Sequence, residues 1–464
     1  MQCQVYVGTG AGASGDQPSG FPSKASILMY RRRCNYCFKV YTSGGGLVGA
    51  LNACFFAQRG WNVEVYEARN DIRRMAHVGG RSINLALSRR GMAALEAVGL
   101  KNYIVERGVE MHARLHIVSI NRRHLNEALI TAAERHPNIC FYFRHKTIKT
   151  SQQKKEDGAK SSNYRGTVSL TVQRLTDNEL VESSADMILA CDGAHSAVRR
   201  SLMSRPMFQY SQTYIEHGYV ELNVRPTKDD QFALESNVFH LWPRGNFTLI
   251  ALANTDRTFT VTLFAPFELF RKELNTDTNL WQFFQHYFPD VTILLGKEEI
   301  ISAFHHSDGS RREALPLVSI KCEPHVFESN RVLLMGDAAH AMGFEDCLVL
   351  SEVLARFYDD IPQSLEYYSR TRCADLHSIV DLSMYNYNEL KDLVNKTDYK
   401  LRKRFDLFLN KYFPTKWIPL YSMVTFTRIP YSQVIALRQW QDSLIRKCLW
   451  VFASSAVISA TVLY

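Results

Sequence analysis

The sequence predicts an α/β chain: a parallel sheet entered through a glycine-rich turn, an antiparallel sheet inserted into it, and a mostly helical C-terminal region. Three observations carry that prediction. A glycine turn at residues 44–49 runs into an apolar helix and then an alternating strand, the order of a βαβ unit. Two later apolar strands, near residues 187–190 and 331–335, each leave through a turn holding Gly and Asp. Between them, residues 217–264 alternate with a period of two, and after residue 367 the pattern becomes helical.

Composition excludes several classes. Of 464 residues, 46% are hydrophobic and 22% charged, which is ordinary globular usage rather than disorder or a fibrous repeat. Lys and Arg outnumber Asp and Glu by 55 to 46, a net charge of +9, but the basic residues are scattered. A nucleic-acid partner, which selects one concentrated basic face, is not expected. Ten cysteines are too sparse for a disulfide framework. Cys34 and Cys37 form a single CxxC, and the adjacent His305 and His306 point to opposite faces of a strand. No metal site is expected.

Residues 1–36 carry five glycines, Pro18, Pro22 and one acid, Asp16. They are expected to be a leader, flexible or wrongly joined to the chain, rather than part of a domain. Their Gly10-Ala11-Gly12-Ala13-Ser14-Gly15 matches GxGxxG, but the two prolines that follow prevent a helix from starting there. The second match, Gly44-Gly45-Gly46-Leu47-Val48-Gly49, leads into the proline-free Ala50-Leu51-Asn52-Ala53-Cys54-Phe55-Phe56-Ala57. After Gly60 comes Val63-Glu64-Val65-Tyr66-Glu67, which ends on an acid 23 residues beyond Gly44. That spacing suits a carboxylate on an adenosine ribose, with a pyrophosphate at the helix N-terminus. The first strand, Val40-Tyr41-Thr42-Ser43, is more polar than a central parallel strand should be. Glu67 leaves NAD and FAD open.

Met187-Ile188-Leu189-Ala190-Cys191-Asp192-Gly193 and Leu334-Met335-Gly336-Asp337-Ala338-Ala339-His340 decide between them. The three motifs in this order resemble the aromatic-hydroxylase class of FAD-dependent monooxygenases. Gly80-Arg81-Ser82-Ile83-Asn84-Leu85-Ala86-Leu87-Ser88, His217-Gly218-Tyr219, Asp381-Leu382-Ser383-Met384-Tyr385-Asn386-Tyr387 and Ile418-Pro419-Leu420-Tyr421 narrow the resemblance to the kynurenine 3-monooxygenase family, from about Val40 to the C-terminus. The resemblance implies a Rossmann-like FAD-binding domain over residues 38–200 and 325–366, an antiparallel-sheet substrate domain over 201–324, and a helical region over 367–446. Residues 448–464, uncharged after Arg446 and Lys447, are expected to form a membrane helix. The family places that anchor in the mitochondrial outer membrane, with the catalytic domain facing the cytosol.

The implied reaction uses NADPH to reduce bound FAD and O2 to hydroxylate L-kynurenine to 3-hydroxykynurenine through a flavin C4a-hydroperoxide. The flavin carries the chemistry, so no catalytic side chain is expected. Carried over residue by residue, Gly44, Gly46, Val48, Gly49, Tyr66, Glu67, Ala68, Arg69, Ala86, Arg122, Thr147, Ala197 and Asp337 match FAD positions. Arg114, Asn386 and Tyr421 match contacts to kynurenine. The chain departs from the family pattern twice. A β-rich stretch bearing a substrate tyrosine is missing after His116, and a Pro-Phe-Phe-Gly-Gln-Gly-Met-Asn loop is missing after Ala341. These gaps leave two alternatives to the hydroxylase: an inactive, membrane-anchored binding module, or an uncoupled NADPH oxidase.

Overall fold

The computed structural model describes residues 37–75, 84–111, 117–152, 167–340 and 343–462. A six-stranded sheet forms its centre, made of β1 (Lys39–Ser43), β2 (Asn62–Glu67), β3 (Ile139–Phe143), β4 (Met187–Ala190), β5 (Val326–Phe327) and β6 (Val332–Leu334). Their order is β5-β6-β4-β1-β2-β3, parallel throughout except for the β5/β6 edge pair. Helix α1 (Leu47–Gln58) crosses from β1 to β2. It is buried nearly all round: Ala50, Leu51, Ala53, Phe55 and Phe56 pack with Val40, Val63 and Leu333 in one core. Such a helix follows from a run without a charge from Leu47 to Ala57.

The polar second half of β1 is explained by its partners. Ser43 donates to Thr147 Oγ1 at 2.8 Å, and the Tyr41 hydroxyl meets Ser183 Oγ. Both partners come from a three-stranded sheet, His145–Gln152, Val168–Arg174 and Leu180–Ala185. A central strand can carry hydroxyls when a second sheet supplies partners for them.

A five-stranded antiparallel sheet runs in the order His240–Pro243, Thr248–Ala253, Phe259–Pro266, Gln209–Val224, Leu315–Glu323. Val220, Leu222, Leu249, Ala251, Val261 and Leu263 form one of its faces, buried with Phe283, Phe284 and Ile300 of the helices Asp277–Tyr287 and Pro289–Ala303. The small sheet Asn84–Leu87, Val109–Met111, Ile117–Asn121 joins this unit to the parallel-sheet side. Ser119 Oγ donates to Ala253 O at 3.0 Å, and Asn84 Nδ2 to Asn254 Oδ1 at 2.7 Å.

Helices dominate the rest: α2 (Arg89–Ala97) earlier in the chain, then α3 (Phe344–Arg356), α4 (Ile361–Lys391), α5 (Leu420–Phe426) and α6 (Tyr431–Val462). Here the expected membrane helix over residues 448–464 is corrected. Among the described residues no helix is long and apolar enough to cross a membrane. The terminal run belongs to α6, whose first half carries Arg438 and Asp442 in ion pairs with Asp406 and Arg402. Extending the uncharged run backwards meets Lys447 and Arg446 at once.

Candidate functional site

At the C-terminal ends of the parallel strands lies a cleft of about 630 Å³, the place where open α/β sheets bind ligands. Its floor is the turn after β1. Gly44 has φ +96°, and a Cβ there would lie 2.4 Å from Cys191 O, so only glycine fits between β1 and the turn leaving β4. Gly49 closes the turn from the helix side, where a Cβ would fall 1.9 Å from Gly44 O. Gly46 is different, because a Cβ there meets nothing within 4 Å and points into open space.

Helix α1 begins at Leu47 with no side-chain cap and no acid in its first turn. Its first N–H groups are therefore left for another acceptor. Glu67, 6% exposed at the end of β2, braces the turn by accepting from Gly45 N at 2.8 Å. It also accepts from Arg69 N and Nε at 2.9 and 2.8 Å. Burial opposes ionisation of Glu67, but the Arg69 guanidinium and the two backbone N–H groups outweigh it and hold the carboxyl below the usual range.

The cleft gathers Gly44, Gly46, Val48, Tyr66, Glu67, Ala68, Arg69, Ala86, Arg122, Thr147, Ala197 and Asp337, which lie up to 293 positions apart in the sequence. Asp337, half-exposed just past β6, faces Arg122 at 3.6 Å. Gly49 does not line the cleft; it packs beneath it. Arg114 lies outside the described residues, as do residues 1–36 and Ala341. Asn386 is exposed on α4, and Tyr421 on α5 is 48% exposed with its ring edge towards Phe426; neither lines the cleft. Tyr387, next to Asn386, is the one turned to the antiparallel sheet, with its ring 5.5 Å from His217 and 6.2 Å from Phe264.

Sequence reasoning did not assign a site role to Asp192, Arg90 or Glu345, all of which line the cleft. Asp192 was the easiest to find, as the acid of the Asp-Gly turn. It accepts from Ala197 N at 2.8 Å and so fixes the start of the helix Ala197–Leu202. Burial pushes its carboxyl above the ordinary range. Arg90 and Glu345 carry no local signal, because their pairing joins positions 255 residues apart. Gly343 at the start of α3 closes on Val48, where a Cβ would lie 2.2 Å from Val48 Cγ2, so the short connection after β6 seats α3 directly on the glycine turn. Among the described residues no group of His, Cys, Asp and Glu is placed to hold a metal ion.

These residues fit FAD. An uncapped helix start accepts a diphosphate, the open space at Gly46 admits close approach, and the acids Glu67 and Asp337 line the cleft. A family model described as an FAD binding domain matches residues 38–344. The kynurenine 3-monooxygenase of Caenorhabditis elegans is 54% identical over 452 residues, 91% of this chain and 96% of that one. The enzyme of Sus scrofa is 42% identical over 448 residues, 90% of each chain. Among solved structures, 2-methyl-3-hydroxypyridine-5-carboxylic acid oxygenase aligns with TM-score 0.57 and 18% identity, covering 77% of this chain and 93% of that one, a likeness of fold. Fold and cleft together define an FAD-dependent oxidoreductase of the aromatic-hydroxylase class. The length and level of the sequence match go further, and the chain belongs to the kynurenine 3-monooxygenase family.

Proposed function

We propose that this chain is an FAD-dependent monooxygenase that converts L-kynurenine to 3-hydroxykynurenine with NADPH and O2. The observation that carries the reading is an uncapped helix N-terminus at a cleft lined by Glu67 and Asp337, in a chain 54% identical to a kynurenine 3-monooxygenase. Bound FAD supplies the redox and oxygen chemistry, so the protein's part is to bind, orient and exclude water. The amides opening α1 hold the diphosphate, and Glu67, with Arg69 beside it, meets the adenosine ribose. Arg122 and Asp337 meet the ribityl end. Arg114 pairs with the kynurenine carboxylate, which a guanidinium grips with two parallel hydrogen bonds. Asn386 and Tyr421 complete the substrate contacts.

The retained cleft and the extent of the family match favour the hydroxylase over the inactive module and the uncoupled oxidase. A mitochondrial outer-membrane location, with the catalytic part facing the cytosol, belongs to the same reading and rests on the family resemblance; subcellular fractionation tests it. The activity test is the yield of 3-hydroxykynurenine per NADPH oxidised by the FAD-loaded protein. A yield near one supports the proposal. A protein that stays colourless after incubation with FAD, or that oxidises NADPH without hydroxylated product, overturns it.

A further inference from the structure

Arg90 on α2 is 1% exposed, among the largest fully buried side chains, and stands in the cleft wall. Its guanidinium bridges two parts of the chain. Nη1 donates to Glu345 Oε1 and Oε2 at 2.8 and 3.0 Å, in the first turn of α3. Nε donates to Val424 O at 2.8 Å, and Nη2 to Ile429 O at 2.6 Å and Met423 O at 3.4 Å. Its plane lies 4.0 Å from the centre of the Tyr431 ring. The three carbonyls belong to the end of α5, the helix that carries Tyr421, and to the turn into α6. Helix α5 ends at Thr427 in extended backbone with no backbone cap. Arg90 therefore shares the capping of this helix end with Thr427, whose Oγ1 donates to Met423 O at 2.6 Å, and the helix does not itself touch the cleft.

The other side of the bridge leads to the glycine turn. Glu345 follows Gly343 and Phe344, and Gly343 is seated on Val48. Arg372 locks this end by donating to Glu345 at 2.8 Å, Asp346 at 3.0 Å and Asp375 at 3.2 Å, while Asp375 accepts from Ser432 N at 3.0 Å. A buried ion-pair cluster is weak as a source of stability, because desolvation offsets much of the attraction. What it does well is fix the mutual position of the elements it joins.

We propose that Arg90 is a positioning residue that links occupation of the FAD cleft to the setting of α5, so that FAD bound at residues 44–48 also orders residues 420–431. The proposal rests on the reading of the cleft as the FAD site. Binding presses on the turn formed by residues 44–48 and on the cleft wall, and Arg90 passes that constraint to the carbonyls at the end of α5. Substrate contact by Tyr421 would then be completed once FAD is in place.

The test is hydrogen exchange of the full chain, followed by mass spectrometry with and without FAD, for the parent and Arg90→Lys. In the parent, FAD should slow exchange in residues 44–58 and also in 420–431. Lysine keeps a charge for Glu345 but cannot serve three carbonyls at once. In R90K, FAD should therefore still protect residues 44–58, while the added protection at 420–431 falls at least threefold. Kynurenine KM, measured at saturating FAD, should rise at least threefold. Full FAD-dependent protection of 420–431 in R90K, with only a lower Tm, would mean a merely structural arginine and overturns the proposal. Protection in the parent at 44–58 but not at 420–431 overturns it without any variant, so a misfolded R90K does not block the test. Absence of protection at both segments is a failure of the FAD site itself.

Discussion

Replacing Glu67 with alanine tests the site at its most strongly held residue. In the structure the carboxylate is 6% exposed and holds Gly45 N–H at 2.8 Å, which sets the turn in front of α1. In E67A the charge-assisted hydrogen bond from this carboxylate to the adenosine ribose is lost, about 1.5–2 kcal/mol of FAD affinity. The bond to Gly45 N and the ion pair with Arg69, whose side chain is 64% exposed, are made with or without FAD, and their loss shows in Tm. A loss of about 2 kcal/mol corresponds to roughly a 30-fold rise in the FAD dissociation constant. Glu67→Gln keeps an oxygen for the ribose but loses the charge, and should cost about half as much, roughly fivefold. The assay is a titration followed by quenching of FAD fluorescence at pH 7.5, with Tm measured on the FAD-free proteins. The expected order of affinity is parent, Gln, Ala. The reasoning is refuted if E67A binds FAD within twofold of the parent, or if Gln is the weaker of the two variants. The same carboxyl has a sign with pH: its folded value is held low, so its contribution is complete above the unfolded value of about 4.5. It is lost as pH falls through the lowered folded value.

Two glycines should separate folding from binding. Gly49→Ala forces a Cβ to within 1.9 Å of a carbonyl oxygen and should lower both Tm and FAD content, whereas Gly46→Ala, with nothing within 4 Å, should keep the Tm of the free protein and lose FAD affinity. Asp346→Asn breaks a buried cluster in which His340 at 2.7 Å and Arg372 hold the carboxyl below its usual range against the opposing effect of burial. It should cost about 3–5 kcal/mol in chemical denaturation, and an unchanged midpoint would count against the cluster. His325 is fully buried, and burial together with the neighbouring His340 pushes it down to about 3, so it stays neutral in the fold while the unfolded chain takes up a proton below about 6.5. Stability therefore falls with pH below that value by up to about 1.4 kcal/mol per unit, and the loss between pH 7.5 and 5.5 should shrink by about 1.4 kcal/mol in His325→Phe.

The sequence by itself determined the glycine turn and the β-α-β unit that form the floor of the cleft. Turn glycines, an apolar helix, an alternating strand and its terminal acid are local features, written within 24 residues from Gly44 to Glu67. Their physics, a left-handed turn and an uncapped helix start, needs no distant partner. The same holds for the antiparallel strands around the turn at residues 243–246. Other features were decided by tertiary structure, because they depend on residues that meet across hundreds of positions. The polarity of β1 makes sense when Thr147 and Ser183 arrive beside it. The uncharged C-terminal run looked like a span, but it continues a charged helix tied to the helix Thr397–Tyr412, and among the described residues no helix is long and apolar enough to cross a membrane. Nothing near Arg90 announces a buried arginine. Its partner Glu345 and the carbonyls of α5 lie 255 and more than 330 residues away, so the link between cleft and C-terminal helices exists only once the chain has folded.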